Sequence, residues 1–180
     1  MLIYSTLFSI LFITVLSKEY KAVDHVELDK YMGKWFQVYQ DKFDQLFQGK
    51  GRCSTAEYSI LNDSKISVFN QQINSQNMTD NIEGYAFYNN DDCCGYLTVH
   101  FGNNIPDAPY WIIELGPIVS NLYDYAIVSD NNARSLYVLT RNVNRFYQKY
   151  NDLVLNSLEQ FGFTNTFNKP FIMSQDDCDI

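Results

Sequence analysis

Gly33-Lys34-Trp35-Phe36-Gln37-Val38-Tyr39, or GKWFQVY, is the stretch whose reading decides the fold. It follows a possible short helical turn at Glu27–Tyr31 and opens a strand-like run. Glycine has no Cβ, so Gly33 lets the chain swing tightly into that strand. Trp35 comes two places later, where a large ring needs something to cover. Tryptophan supplies more apolar area than any other side chain, and its indole N–H needs a partner when buried. A ring in this place fits a floor that plugs one end of a closed sheet.

Working outward, period-two alternation recurs down the chain. It predicts strands at Lys34–Phe43, Thr55–Leu61, Lys65–Gln72, Ile82–Tyr88, Gly95–Phe101, Tyr110–Leu115, Tyr123–Ser129 and Ser135–Arg141. The links are short and polar, such as Asn62-Asp63-Ser64, Asn89-Asn90-Asp91-Asp92 and Asp130-Asn131-Asn132-Ala133. Strands in series with short links make an antiparallel meander. Closing it removes both free edges. The expected fold is all-β, an eight-stranded antiparallel up-and-down barrel. From Arg145 to Phe161 the period becomes helical, with Phe146, Tyr150, Leu153, Val154, Ser157, Leu158 and Phe161 on one stripe. Asn144 could cap this helix and Gly162 could end it. Its apolar face suits the outside of the barrel. A short edge strand is expected within Phe163–Met173, before an acidic tail.

Residues 1–17, MLIYSTLFSILFITVLS, are uncharged and mostly apolar but short for a membrane span. They read as a cleaved secretory signal, leaving one domain over 18–180. The net charge of −8 argues against nucleic acid and against an acidic membrane surface. The four cysteines, Cys53, Cys93, Cys94 and Cys178, fit an oxidising compartment and allow three pairings. Adjacent Cys93 and Cys94 can bridge each other, bridge another chain or stay free; a mutual bridge is the expectation. Asn62-Asp63-Ser64 and Asn77-Met78-Thr79 are candidate glycosylation sites in turns. With no Cys-x-x-Cys pair and no histidine cluster, no metal or other cofactor is expected.

Four sets of residues together resemble the lipocalins, especially the group of apolipoprotein D, the insect bilin-binding proteins and the bacterial outer-membrane lipocalins. They are Tyr31-Met32-Gly33-Lys34-Trp35-Phe36, then Gly51-Arg52-Cys53 leading into Ala56-Glu57-Tyr58-Ser59, then Ile82-Glu83-Gly84-Tyr85-Ala86. The fourth runs from Tyr110-Trp111-Ile112 through Tyr123-Asp124-Tyr125-Ala126-Ile127-Val128 to Leu136-Tyr137-Val138-Leu139-Thr140-Arg141. The resemblance spans about residues 27 to 178. It implies a calyx that binds a small hydrophobic molecule, and by similarity a bond between Cys53 and Cys178. It also implies a pocket aromatic at Tyr137. The family's threonine–aspartate–tyrosine signature is replaced by Ser120-Asn121-Leu122, with a partial echo at Tyr123-Asp124-Tyr125. The closed end is therefore expected to be hydrogen-bonded differently.

Alternation assigns an inner wall: Ala56, Tyr58 and Ile60; Leu97, Val99 and Phe101; Trp111, Ile113 and Leu115, opposite Glu114; Ala126 and Val128, with Asp124; Tyr137 and Leu139. Arg141 can stack on Trp35 and donate to carbonyls of the first turn. Tyr58 and Tyr137 could orient the polar head of a mostly apolar guest, such as a lipid, sterol, retinoid or tetrapyrrole-like molecule.

Two other functions compete with this reading. An enzyme would need an activated nucleophile or an acid–base pair. His25 falls in a flexible lead-in, His100 faces outward by parity, and Asp44 and Glu114 form no recognisable pair. No catalytic residue is assigned. An interaction module would use the open-end loops Asp44–Gly51 and Asn103–Ala108, the first with Leu46 and Phe47, for transient contact with a receptor or membrane. The pattern is neutral about oligomeric state.

Overall fold

The computed structural model describes residues 19–62, 65–88, 94–102 and 104–178. The expected signal, Cys93 and the Asp63-Ser64 pair of one glycosylation motif lie outside the described residues. Eight strands form the barrel: β1 (Gly33–Gln40), β2 (Gly51–Asn62), β3 (Lys65–Asn74), β4 (Thr79–Tyr88), β5 (Tyr96–His100), β6 (Ala108–Leu115), β9 (Tyr125–Ser129) and β10 (Leu136–Thr140). Between β6 and β9 lies a minute hairpin, β7 (Ile118–Val119) and β8 (Leu122–Tyr123), whose Tyr123 is buried in the barrel core. Each barrel strand pairs antiparallel with the next, and β1 pairs with β10 to close the ring. A short β11 (Phe171–Ile172) adds to β1 where a bulge after Gln37 loosens its pairing with β10.

Two corrections concern element boundaries. The first strand stops at Gln40, three residues before the sequence pattern suggested. Asp41 is the reason: its carboxylate accepts from Asp44 N at 2.8 Å and caps helix α2 (Lys42–Gln48). Part of the expected open-end loop is therefore helical. The later helix is two segments, α3 (Val143–Lys149) and α4 (Asn151–Gln160), and its cap is Asn142 rather than Asn144. Asn142 Oδ1 accepts from Arg145 N at 2.8 Å.

The chain builds two apolar cores. One fills the barrel. The other lies outside it, where Phe146, Val154, Leu158, Phe161 and Phe163 cover Val38, Tyr125, Ile127, Leu136 and Val138. Asp124 is buried at the start of the β9 wall and its carboxylate holds Arg145 of α3, which fixes the helix to the barrel.

The lead-in is not loose. Val23 N donates to Ile112 O and Gly95 N donates to Val23 O, each at 2.8 Å. Gly95 is required there, since a Cβ would sit 2.6 Å from Ile112 O. His25 projects from this threaded segment into solvent. At the other terminus a Cys53–Cys178 disulfide, with Cα atoms 5.5 Å apart, ties β2 to the tail across 125 residues. Closing so long a loop contributes about 2–4 kcal/mol.

Candidate functional site in the barrel interior

The short helix α1 (Leu28–Tyr31) and the start of β1 close one end of the barrel. Gly33 takes a positive φ of 92°, which lets the chain turn from helix to strand. Trp35 is fully buried on this floor, and its indole N–H donates to Tyr31 O at 2.8 Å. The Arg141 guanidinium lies 3.6 Å from the centre of the indole. It donates to Lys34 O (2.7 Å), Met32 O (2.7 Å), Tyr31 O (2.9 Å) and Tyr123 O (3.3 Å). Burial pulls its pKa down to about 10, which still leaves it charged at neutral pH. The floor is thus a cation between an aromatic face and a ring of carbonyls, with four of its five N–H groups engaged.

Just inside this floor three phenols converge. Tyr110 OH shares one hydrogen bond with Tyr31 OH at 2.7 Å and another with Tyr58 OH at 2.9 Å. Desolvation pushes Tyr58 up to about 12 and raises Tyr31 and Tyr110 well above the ordinary phenol value. All three remain protonated across the physiological range. A cavity of about 10 Å³ adjoins them, lined also by Leu28, Ile66, Ala86, Leu97 and Ile112.

Of the wall residues assigned by alternation, Tyr58, Leu97, Val99, Ala126, Val128 and Leu139 lie in the interior core. Phe101, Leu115 and Tyr137 pack half-buried against it. Trp111 and Ile113 do not line the interior, and their assignment is corrected. They belong to the outer core, with Trp111 stacked on Tyr20. The reason is a bulge between Ile112 and Glu114. Ile113 and Glu114 both point outward, where Tyr125 OH donates to Glu114 Oε1 at 2.9 Å. Tyr110 and Ile112 take the inward places instead, together with Leu115. Ile60 is cross-strand to the interior residue Ile66 but is 49% exposed, because β2 runs past the end of the enclosed space.

Sequence reasoning also missed Tyr31 as an interior side chain and the polar turn the wall takes above the floor. Gln37 shares a face of β1 with Trp35, and its Oε1 accepts from Ser54 Oγ at 2.7 Å. Asn70, cross-strand to Ala56, has a buried Oδ1 with no hydrogen-bond partner among the described residues. Gln37 and Asn70 were legible only as members of long alternating runs, which do not say where the apolar zone stops.

At the opposite end, the mouth, Asp44 is buried beside the start of β10 and accepts from Leu136 N at 2.9 Å. Desolvation raises Asp41 to about 6 and Asp44 well above the usual carboxylate range. A second hollow of about 510 Å³ lies outside the barrel, between Phe43, the Asn132–Arg134 turn and residues 165–168. It shares no residue with the interior. His100 faces outward and pairs with Asp107 at 2.6 Å. Among the described residues no group of three or more His, Cys, Asp or Glu side chains could hold a metal ion. No helix among them is long and apolar enough to cross a membrane.

A closed antiparallel barrel with one sealed end and an apolar inner wall defines a calyx, the class of barrel able to enclose one small molecule. Residues 26–170 match the lipocalin-like domain family, and the chain belongs to it. It is 32% identical to apolipoprotein D of Cavia porcellus over 90 residues, 50% of this chain and 46% of that protein. The chain thus matches about half the length of that relative. It is 34% identical to the outer membrane lipoprotein Blc of Vibrio cholerae over 122 residues, 67% of this chain and 68% of that one. Among solved structures it resembles Japanin from Rhipicephalus appendiculatus bound to cholesterol. The TM-score is 0.54 at 13% identity, over 82% of this chain and 95% of that one.

Proposed function

We propose that this chain binds and carries a small hydrophobic molecule in its barrel, outside the cell. The observation that carries the reading is the pairing of a sealed floor with an apolar inner wall. Trp35 and Arg141 close one end, while Leu97, Val99, Ala126, Val128 and Leu139 line the space above. Transfer of apolar surface from water into such a wall contributes about 25 cal/mol per Å². Japanin, of the same fold, is bound to cholesterol in its solved structure.

The cavity beside the three phenols is about 10 Å³, and around it the barrel closes on its own side chains in this form. A guest is therefore admitted by repacking of the wall, in which Phe101 and Tyr137 are only half-buried. Secretion is supported by the apolar leader at residues 1–17 and by the Cys53–Cys178 bond. Asn62, at the end of β2, and Asn77, in the turn between β3 and β4, are exposed, as glycan attachment requires.

Native mass spectrometry of the protein isolated from its own source tests this. The expected result is one small apolar molecule per chain, released on unfolding, with a mass that also reports glycans. A guest-free protein that takes up none of a panel of cholesterol, retinol, oleate and biliverdin would end the carriage reading.

A further inference from the structure

Proton counting at the floor specifies more than apolarity. Tyr31, Tyr58 and Tyr110 hold three O–H protons, and only two hydrogen bonds join them. The bonds can run from Tyr31 through Tyr110 to Tyr58, or in reverse, or both into Tyr110. In every arrangement one O–H proton is left without an acceptor among the described residues. An unmatched donor in an apolar site costs about 1–3 kcal/mol, so the site favours whatever supplies the missing acceptor.

The surroundings limit what that acceptor can be. The adjoining cavity of about 10 Å³ has room for about one water-sized group. Its other walls are Leu28, Ile66, Ala86, Leu97 and Ile112, which offer no hydrogen bond from their side chains. Arg141, the nearby cation, directs four of its five N–H groups to the carbonyls of Tyr31, Met32, Lys34 and Tyr123. A carboxylate arriving here would give up its water for phenols and for the charge of Arg141, already shared among backbone carbonyls, a desolvation cost that a neutral oxygen does not carry; an ammonium would bring no acceptor at all. A neutral oxygen meets both conditions.

We propose that the Tyr31–Tyr58–Tyr110 cluster is a specificity site that accepts the carbonyl or hydroxyl oxygen of an otherwise apolar, uncharged guest, which enters the barrel oxygen first. This rests on the carriage reading above and assigns the guest its chemical class and its direction of entry. The raised phenol pKa values keep all three donors protonated wherever the protein is folded near neutral pH.

Headspace partitioning of 2-decanone and of undecane, matched in heavy atoms, over the full chain tests it. The expected result is that both bind. The triple substitution Tyr31→Phe, Tyr58→Phe and Tyr110→Phe then weakens 2-decanone about tenfold and leaves undecane within about twofold. Infrared spectra of carbonyl-labelled 2-decanone on the unaltered protein give a check that needs no variant. The bound carbonyl stretch is expected below its value in alkane solvent. A stretch at the alkane value, or equal responses of the two probes to the triple substitution, overturns the oxygen-first inference while carriage stands. Failure of both probes to leave the headspace over an unaltered protein that still takes up a member of the cholesterol, retinol, oleate and biliverdin panel also overturns the inference while carriage stands; failure of probes and panel together overturns both.

Discussion

Arg141 at the closed end and the Asp41–Asp44 pair at the mouth are both ionic groups taken out of water, and the protein treats them differently. Arg141 lies on the Trp35 face and reaches four backbone carbonyls within 3.3 Å. Its charge is matched by fixed dipoles, so it stays charged. Asp44 has Leu136 N, and Asp41 has Asp44 N. Asp41 Oδ2 is buried with no partner, and among the described residues no lysine or arginine pairs with either acid. Asp130, from the turn before β10, adds a like charge, while the Tyr137 hydroxyl offers Asp44 one further hydrogen bond. Protons take the place of the missing partners there. A buried charge needs its counter-dipoles built into the backbone, and otherwise the group is held neutral.

The contrast is broken most severely from the closed end. Trp35→Ala empties the floor and strips Arg141 of its aromatic face. Unfolding in urea should show a loss of roughly 3–5 kcal/mol. A loss below about 1 kcal/mol would mean that the floor does not hold the barrel shut.

The mouth should respond to pH instead. Asp41 has a folded pKa of about 6 against a model-peptide value of 3.8, and Asp44 is raised too. Native protein therefore holds more protons than unfolded protein between these values. The stability due to Asp41 is fully present below about pH 4 and is lost as pH rises through about 6, and the raised Asp44 acts in the same direction. The expected loss is on the order of 1–2 kcal/mol. The double substitution Asp41→Asn and Asp44→Asn should flatten that slope. Amide exchange at Leu136, whose N–H binds Asp44, reads the same event locally. An unchanged slope in the double variant would remove the distinction between the two ends.

The smallest effect should come from Ile60, which shares a strand face with Tyr58 yet is half exposed. Ile60→Ser should change stability by less than about 0.5 kcal/mol and leave 2-decanone binding unaltered. A tenfold loss of binding would extend the site past the floor.

Much of this was legible before the structure. Gly33 and Trp35 announced a sealed strand start, and eight alternating runs announced a barrel. The change to helical period at Arg145 announced the outer helix, since α3 and α4 run from Val143 to Gln160. The resemblance to lipocalins indicated the Cys53–Cys178 bond that the structure contains. The site was read less well. On β6, Tyr110-Trp111-Ile112-Ile113 is apolar at every position, so only Glu114 set the parity, and the bulge beside it reversed the answer.

Periodicity is a local property, carried by side chains a few residues apart, and the sequence by itself determined strands, helix and floor through it. Which face turned inward on β6 was decided only when the ring closed and the bulge took up the mismatch between neighbouring strands. The meeting of Tyr31, Tyr58 and Tyr110 is of the same kind. Their hydroxyls come from α1, β2 and β6, up to 79 residues apart, and barrel closure alone brings them within 2.9 Å of a shared oxygen.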